Sequence, residues 1–122
     1  IGGFPWAPET TAKETSSISA DGYYNTKRII QVYGNVSKFT RPYAAFAAQK
    51  YNSGGYNDWY LPSYEEMAIL NAAASLNINY SNNGKNFWTS TVDLTGYTRA
   101  LTVPGNATDV FTWLNVRPIR KF

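Results

Sequence analysis

Beyond Asn86 no stretch of the chain has a helical pattern. Four short segments rich in β-branched and aromatic residues follow one another, 87–91, 97–103, 109–114 and 116–120, parted by turn formers such as Gly96 and the Pro104, Gly105, Asn106 trio. Two helical patterns precede them. Helices gathered ahead of a run of short strands define an α+β domain, here two helices packed on short antiparallel strands. At 122 residues the chain has the size of one domain, and burying about two-thirds of its unfolded surface would give it a core of its own. Residues 1–122 are therefore read as a single domain.

The first helical pattern is the Ala-rich stretch 43–51, introduced by Thr40, Arg41 and Pro42 and stopped by Asn52, Ser53, Gly54 and Gly55. Its small side chains point to close packing against a sheet. The second begins at Ser63, where Ser63 and Glu66 have capping-box spacing and Pro62 sits just ahead of the cap. Met67, Leu70 and Ala74 then recur on one face with Ile69 and Ala73 beside them, so this helix is expected to bury that stripe and to end near Leu76. Residues 77–86, rich in Asn, Ser and Gly, read as a surface loop. The first forty residues mix Gly, Thr and Ser with two β-like stretches, 4–6 and 28–33.

Composition narrows the chemistry. The chain has no cysteine and no histidine, which removes disulfides, thiolate nucleophiles, imidazole bases and the usual zinc and copper ligand sets. No apolar run has the length of a membrane span. Residues 1–8 carry neither a charged start nor a signal-peptide core, so a mature or trimmed domain is expected. The net charge of +3 is spread out, apart from Arg117, Arg120 and Lys121, which is not the dense basic stripe of a nucleic-acid binder. Ten Tyr, six Phe and four Trp serve either core filling or a contact surface, since aromatic rings bring large area at low entropic cost.

Residues 54–63, GGYNDWYLPS, followed by Glu65, Glu66 and Met67, resemble the signature of the Lcl C-terminal domain family, a domain of collagen-like bacterial adhesins. Phe87, Trp88, Thr89, Ser90 and Thr91 look like that family's aromatic-Trp-Ser/Thr-Ser/Thr strand. Ala100, Leu101 and Val103 look like its Ala-Trp-x-Val strand, and 116–120 like its closing Val-Arg-Pro-Val-Arg. Tyr24, Asn25, Thr26 and Ile29 fall where the family carries an Asn-Thr pair before a strand. The resemblance covers roughly residues 20–122. It implies a C-type-lectin-like fold, related to formylglycine-generating enzymes and to the variable proteins of diversity-generating retroelements, many of which end as 116–122 do here.

In those systems adenine-directed mutagenesis rewrites codons between the aromatic-Trp-Ser strand and the terminal motif, and the rewritten residues form the binding face. Carried onto this chain, the implied face is Asp93, Leu94, Thr95, Tyr97, Thr98, Arg99, Thr102, Pro104, Asn106, Asp109, Phe111, Thr112 and Trp113. Mutagenised Asn codons do not reach Lys, Gln, Glu, Met or Trp, and between Val92 and Asn115 only Trp113 breaks that rule. The expected partner is a protein or glycan on a cell surface, with the chain at a cell surface or on a virion. Neither nucleic acid nor membrane insertion is expected, and no cofactor.

Each candidate has a plainer alternative. Trp59 and Trp88 flank apolar positions and are assigned to the core. Alternation along 109–114 sets Asp109, Phe111 and Trp113 on one face and Val110, Thr112 and Leu114 on the other, so either the strand is sandwiched or one aromatic face is open to bind. The turn from Asp93 to Arg99 offers hydrogen bonds, charge and a ring, as would a merely solvated loop. Arg117 and Arg120 fit structural pairing with carboxylates or carbonyls better than an anion clamp. Asn57, Asp58, Glu65 and Glu66 have calcium-type oxygens, but Glu66 is already claimed by the helix cap, so no metal is assigned. Enzymes of the formylglycine-generating type need cysteines, and nothing fixes a separation between Asp93 and Asp109 for hydrolysis, so no catalytic residue is assigned. A different class of protein, an invariant structural or adhesive module of a virion or cell surface, would also use the aromatic load.

Overall fold

The computed structural model describes residues 3–8, 15, 17–34, 42–74, 87–92, 99–103, 107–109 and 112–120; in Ser53, 70–74, 99–103 and 107–109 it describes the backbone alone. The elements are β1 (Phe4–Pro5), α1 (Gly22–Tyr33), α2 (Ala44–Lys50), a 3-10 turn (Ser53–Gly55), α3 (Tyr64–Ala74), β2 (Phe87–Val92), β3 (Arg99–Val103), β4 (Ala107–Asp109) and β5 (Trp113–Leu114). The architecture is α+β, as the order of patterns implies, but with three α-helices among the described residues where two were expected.

The additional helix is α1, and it overturns the β-like reading of 28–33. Asp21 caps it by accepting the N–H of Tyr23 (3.0 Å), and Gly34, at φ 74°, ends it. Gly22, Asn25, Thr26, Ile29 and Tyr33 face inward at helical spacing. Two of these are polar, which hides the stripe from a search for apolar periodicity, while Ile29, Ile30 and Val32 imitate a strand. Both polar residues are fully used. Asn25 donates to the Ser19 carbonyl (2.7 Å) and to Ser90 Oγ (3.3 Å) and accepts from the Ser19 N–H (3.0 Å). Thr26 Oγ1 accepts from the Leu61 N–H (3.0 Å) and donates to the Leu61 carbonyl (3.2 Å). The Asn-Thr pair thus lies inside a helix, not ahead of a strand.

Helix α2 matches the Ala-rich pattern and buries Ala44, Ala45 and Ala48, small enough to bring it close to α1 and β1. Helix α3 starts with the expected capping box: Glu66 N–H donates to Ser63 Oγ (3.1 Å) and Ser63 N–H donates to Glu66 Oε1 (3.0 Å). Met67 is buried in the direction foreseen, but Ile69 is 71% exposed, which corrects its place in the inward stripe. Ile69 is two residues from Met67, and at 100° per residue that carries it off the buried face. The side chains of Leu70, Ala73 and Ala74 and the 77–86 loop lie outside what is described.

Strand β2 is the hub. All six of its residues are buried. It pairs antiparallel with β3, which pairs with β4. The N–H groups of Trp88, Ser90 and Val92 are taken up by the carbonyls of Asn115 (2.9 Å), Pro62 (2.8 Å) and Ser17 (3.0 Å), so three distant segments dock along one strand. The buried hydroxyls of β2 also hold helices: Thr91 Oγ1 accepts from the Tyr64 N–H at the start of α3 (2.9 Å). A second sheet joins β1 to β5, with Phe4 opposite Leu114 and Pro5 opposite Trp113. The two sheets are tied by reciprocal indole bonds, Trp88 Nε1 to the Phe4 carbonyl (2.7 Å) and Trp6 Nε1 to the Thr89 carbonyl (2.8 Å).

Two strand expectations fail. Residues 109–114 are not one strand, because 107–109 pairs with β3, Thr112 is a bend and 113–114 pairs with β1, so the simple alternation across 109–114 does not hold. Residues 116–120 form no strand either; Asn115 and Ile119 make single bridges to Phe87 and Tyr60.

Gly22 sits where the start of α1 meets the start of α3. A Cβ there would lie 2.5 Å from Glu66 Oε1, 2.5 Å from the Ser63 nitrogen and 2.6 Å from the Leu61 oxygen, and the last two are backbone atoms that cannot swing away. Gly22→Ala is expected to destabilise the domain by about 1–3 kcal/mol, the usual range for overpacking. Urea unfolding measures this; an unchanged midpoint would show that the two helix starts are not in contact.

Candidate functional site

The segment after the 3-10 turn is held from the far end of the chain. Tyr60 and Ile119 exchange backbone hydrogen bonds of 2.8 and 3.0 Å. One residue further on, Arg120 grips Asp58 with two parallel bonds, Nε to Oδ1 at 2.7 Å and Nη2 to Oδ2 at 3.0 Å. Its guanidinium lies over the Tyr56 ring at 3.6 Å and 6.0 Å from the Trp59 ring centre. This is the structural pairing expected of Arg120, in the geometry that a planar fork favours. The hydrogen bond from Arg120 holds the Asp58 carboxyl below its ordinary range and pushes the guanidinium above its own. The pair is solvent-exposed, so it orients the loop more than it stabilises the fold.

Beside this pair opens a cleft of about 220 Å³ lined by Tyr23, Thr26 and Lys27 of α1, Gln49 of α2, and Asn57, Asp58, Trp59 and Tyr60. Tyr23, Thr26 and Lys27 share one helix face through their i, i+3, i+4 spacing. Tyr23 meets Tyr60 edge to face (5.7 Å), and the Lys27 ammonium lies 4.7 Å from the Tyr23 ring centre. Thr26 and Tyr60 form the buried back wall; the Tyr60 hydroxyl donates to Glu66 Oε2 (3.2 Å), and burial, reinforced by that carboxylate, pushes its phenol well above the usual range. Trp59, expected in the core, is only partly buried and walls the cleft, its ring edge-to-face with Tyr51 at 4.9 Å. Trp88, by contrast, is completely enclosed.

The calcium-type oxygens do not converge. Asp58 is taken by Arg120, and Glu66 accepts from Ser63, Gly22 and Tyr60. Among the described residues no three His, Cys, Asp or Glu side chains form a group able to hold a metal, and no helix is long and apolar enough to cross a membrane.

Of the face implied by resemblance, Asp93, Leu94, Thr95, Tyr97, Thr98, Pro104, Asn106 and Phe111 lie outside the described residues. Arg99 and Thr102 are on β3, and Asp109, on β4, is the register partner of Arg99. Thr112 is an exposed bend, and Trp113, next to it on β5, is 41% exposed. The backbone therefore joins Arg99, Thr102 and Asp109 in one sheet and carries Trp113 in the other. Sequence reasoning did not find Tyr23, Lys27 or Gln49 as lining residues, and their shared position becomes visible only once α1 is recognised as a helix. Comparison with protein-family profiles, with curated proteins and with solved structures gives no match.

The Asp58–Arg120 pair should be readable by titration. Because the folded carboxyl is depressed, its contribution is complete above the unfolded value of about 3.9 and is lost as the pH falls through the lower folded value. Carbon-detected NMR is expected to give Asp58 a midpoint below the ordinary aspartate value of about 3.9, moving up in about 1 M NaCl and returning to the ordinary value in Arg120→Ala. A midpoint that ignores Arg120→Ala would mean that the contact does not persist in solution.

Proposed function

We propose that the chain is a non-enzymatic ligand-binding domain with a C-type-lectin-like fold, whose C-terminal third carries a diversified recognition face for a protein or glycan on a cell surface. One observation carries the recognition part of this reading: Trp113, read as a fixed anchor because mutagenised Asn codons do not reach Trp, stands partly exposed beside the exposed Thr112, on a strand paired through its backbone with β1. Leaving about two-fifths of a large ring in water forgoes part of the about 1.5–3 kcal/mol that full burial brings, and tryptophan is among the residues enriched as energetic anchors of interfaces. The core beneath is closed by Phe4, Trp6, Trp88 and Val116. Substitution at 112–113 therefore changes the surface without opening the interior.

Three features support the fold part of the proposal. The first and last strands pair antiparallel, the three helices flank the sheets, and the aromatic-Trp-Thr-Ser-Thr segment is a fully buried strand. The diversification part is motivated by the residue usage between Val92 and Asn115.

Trp113→Ala is expected to leave the melting temperature within a few degrees and to weaken capture of a surface ligand by at least about tenfold, as for a typical anchor residue. The ligand is to be found first with glycan and surface-protein arrays. A fall in melting temperature as large as that of a core truncation would place Trp113 in the scaffold and remove the recognition face. Sequencing the locus tests diversification separately: a nearby near-copy of the 3′ coding region, differing mainly at adenines, is expected, and without it the face is invariant.

A further inference from the structure

We propose that the cleft between α1, α2 and residues 57–60 is a second binding site, built to take one neutral sugar ring. This does not rest on the Trp113 face. Its volume of about 220 Å³ is below the ~300–1,000 Å³ of sites for drug-sized molecules and amounts to roughly seven waters at about 30 Å³ each. One pyranose is the scale of ligand that fits.

The lining has the chemistry of polyol recognition. Vicinal hydroxyls need neighbours that donate and accept at once, which planar amides and carboxylates provide. Gln49 and Asn57 supply two amides, neither with a hydrogen-bond partner among the described residues. Asp58 adds a carboxylate whose oxygens each accept one bond from Arg120 and retain further lone-pair capacity. The Tyr23 and Trp59 rings supply the apolar surface against which the C–H face of a sugar packs. The indole N–H of Trp59 is enclosed and has no acceptor among the described residues, so Trp59 contributes its ring surface to the cleft and not that donor.

Charge argues for a neutral ligand. Asp58 is neutralised by its two bonds to Arg120, and Lys27 is solvated and lies over the Tyr23 ring. Among the described lining residues no carboxylate and guanidinium stand open together to grip an ionic group from two sides. The site is also held still before anything binds. Its helix face is bonded through Thr26 to Leu61, and its loop is fixed by the Tyr60–Ile119 bridge and the Asp58–Arg120 fork. Prearranged polar groups on rigid elements lose little entropy on binding.

The test is a titration of the isotope-labelled full chain with methyl α-glucoside, methyl β-galactoside and N-acetylglucosamine, followed by NMR, with glucuronate as the charged comparison. At least one neutral sugar is expected to saturate with a Kd on the order of millimolar, as suits a ligand of this size. The largest shifts should fall on the Trp59 indole and on residues 49 and 57. Gln49→Ala with Asn57→Ala is expected to weaken binding about tenfold or more with an unchanged melting temperature, and Trp113→Ala to leave it unaltered. The proposal is overturned by any of three results: no saturation with any neutral sugar, tenfold tighter binding of glucuronate, or shifts centred away from the cleft. Should the double variant melt early, the map of shifts on the unmodified chain decides alone.

Discussion

A single carboxylate joins the parts on which the scaffold depends. Glu66 Oε1 accepts the Ser63 N–H (3.0 Å) and the Gly22 N–H (2.9 Å), while Oε2 accepts the Tyr60 hydroxyl (3.2 Å). A capping box usually serves one helix, but here the same oxygen meets the first N–H of α1 as well. Two helix N-termini, each with unsatisfied donors and the positive end of its dipole, converge on one negative charge. The approach is possible only because residue 22 has no Cβ. Through Tyr60 the same group reaches the loop that Ile119 bridges, so the starts of two helices and the end of the chain share one anchor.

Strand β2 performs the matching task for the core. Its sequence, FWTSTV, is apolar only at its ends, yet all six residues are buried. Burying three hydroxyl residues is tolerable because each hydroxyl oxygen has a partner: Ser90 takes a bond from Asn25, Thr91 from the start of α3, Thr89 from the Thr91 N–H. The two indole bonds, Trp88 to the Phe4 carbonyl on β1 and Trp6 to the Thr89 carbonyl on β2, add direction to an otherwise non-directional apolar core. The outcome is a scaffold specified by hydrogen-bond geometry as much as by apolar area.

What the sequence made legible follows from how local each signal is. The capping box of Ser63 and Glu66, the Ala-rich helix and the 87–91 strand depend on residues close in the chain, and each forms where its pattern lies. Arg120 pairs structurally, but its partner, Asp58, is 62 positions away and no local pattern names it. Helix α1 was hidden because two of the five residues in its inward stripe are polar, and Asn25 and Thr26 have reason to face inward only once Ser90 and Leu61 are beside them. The apparent strand 109–114 divides because its two ends find partners in different sheets, a choice made by β1 and β3 and not by the segment itself. The cleft was invisible for the same reason: its walls come from three segments, and only Asn57 and Asp58 had shown as candidates.

The arrangement separates two kinds of surface. Around the cleft the side chains are interlocked, since Tyr23 rests on Tyr60, Tyr60 on Glu66, Asp58 on Arg120 and Arg120 on Tyr56, so altering one disturbs the next. At β5 the backbone of 113 and 114 pairs with β1, and such pairing takes little account of which side chain stands there. Main-chain anchoring lets side chains change without loss of position, whereas side-chain anchoring fixes them. If the proposed recognition face varies, the first kind at that edge and the second in the frame is the division that would keep the shape while the surface changes.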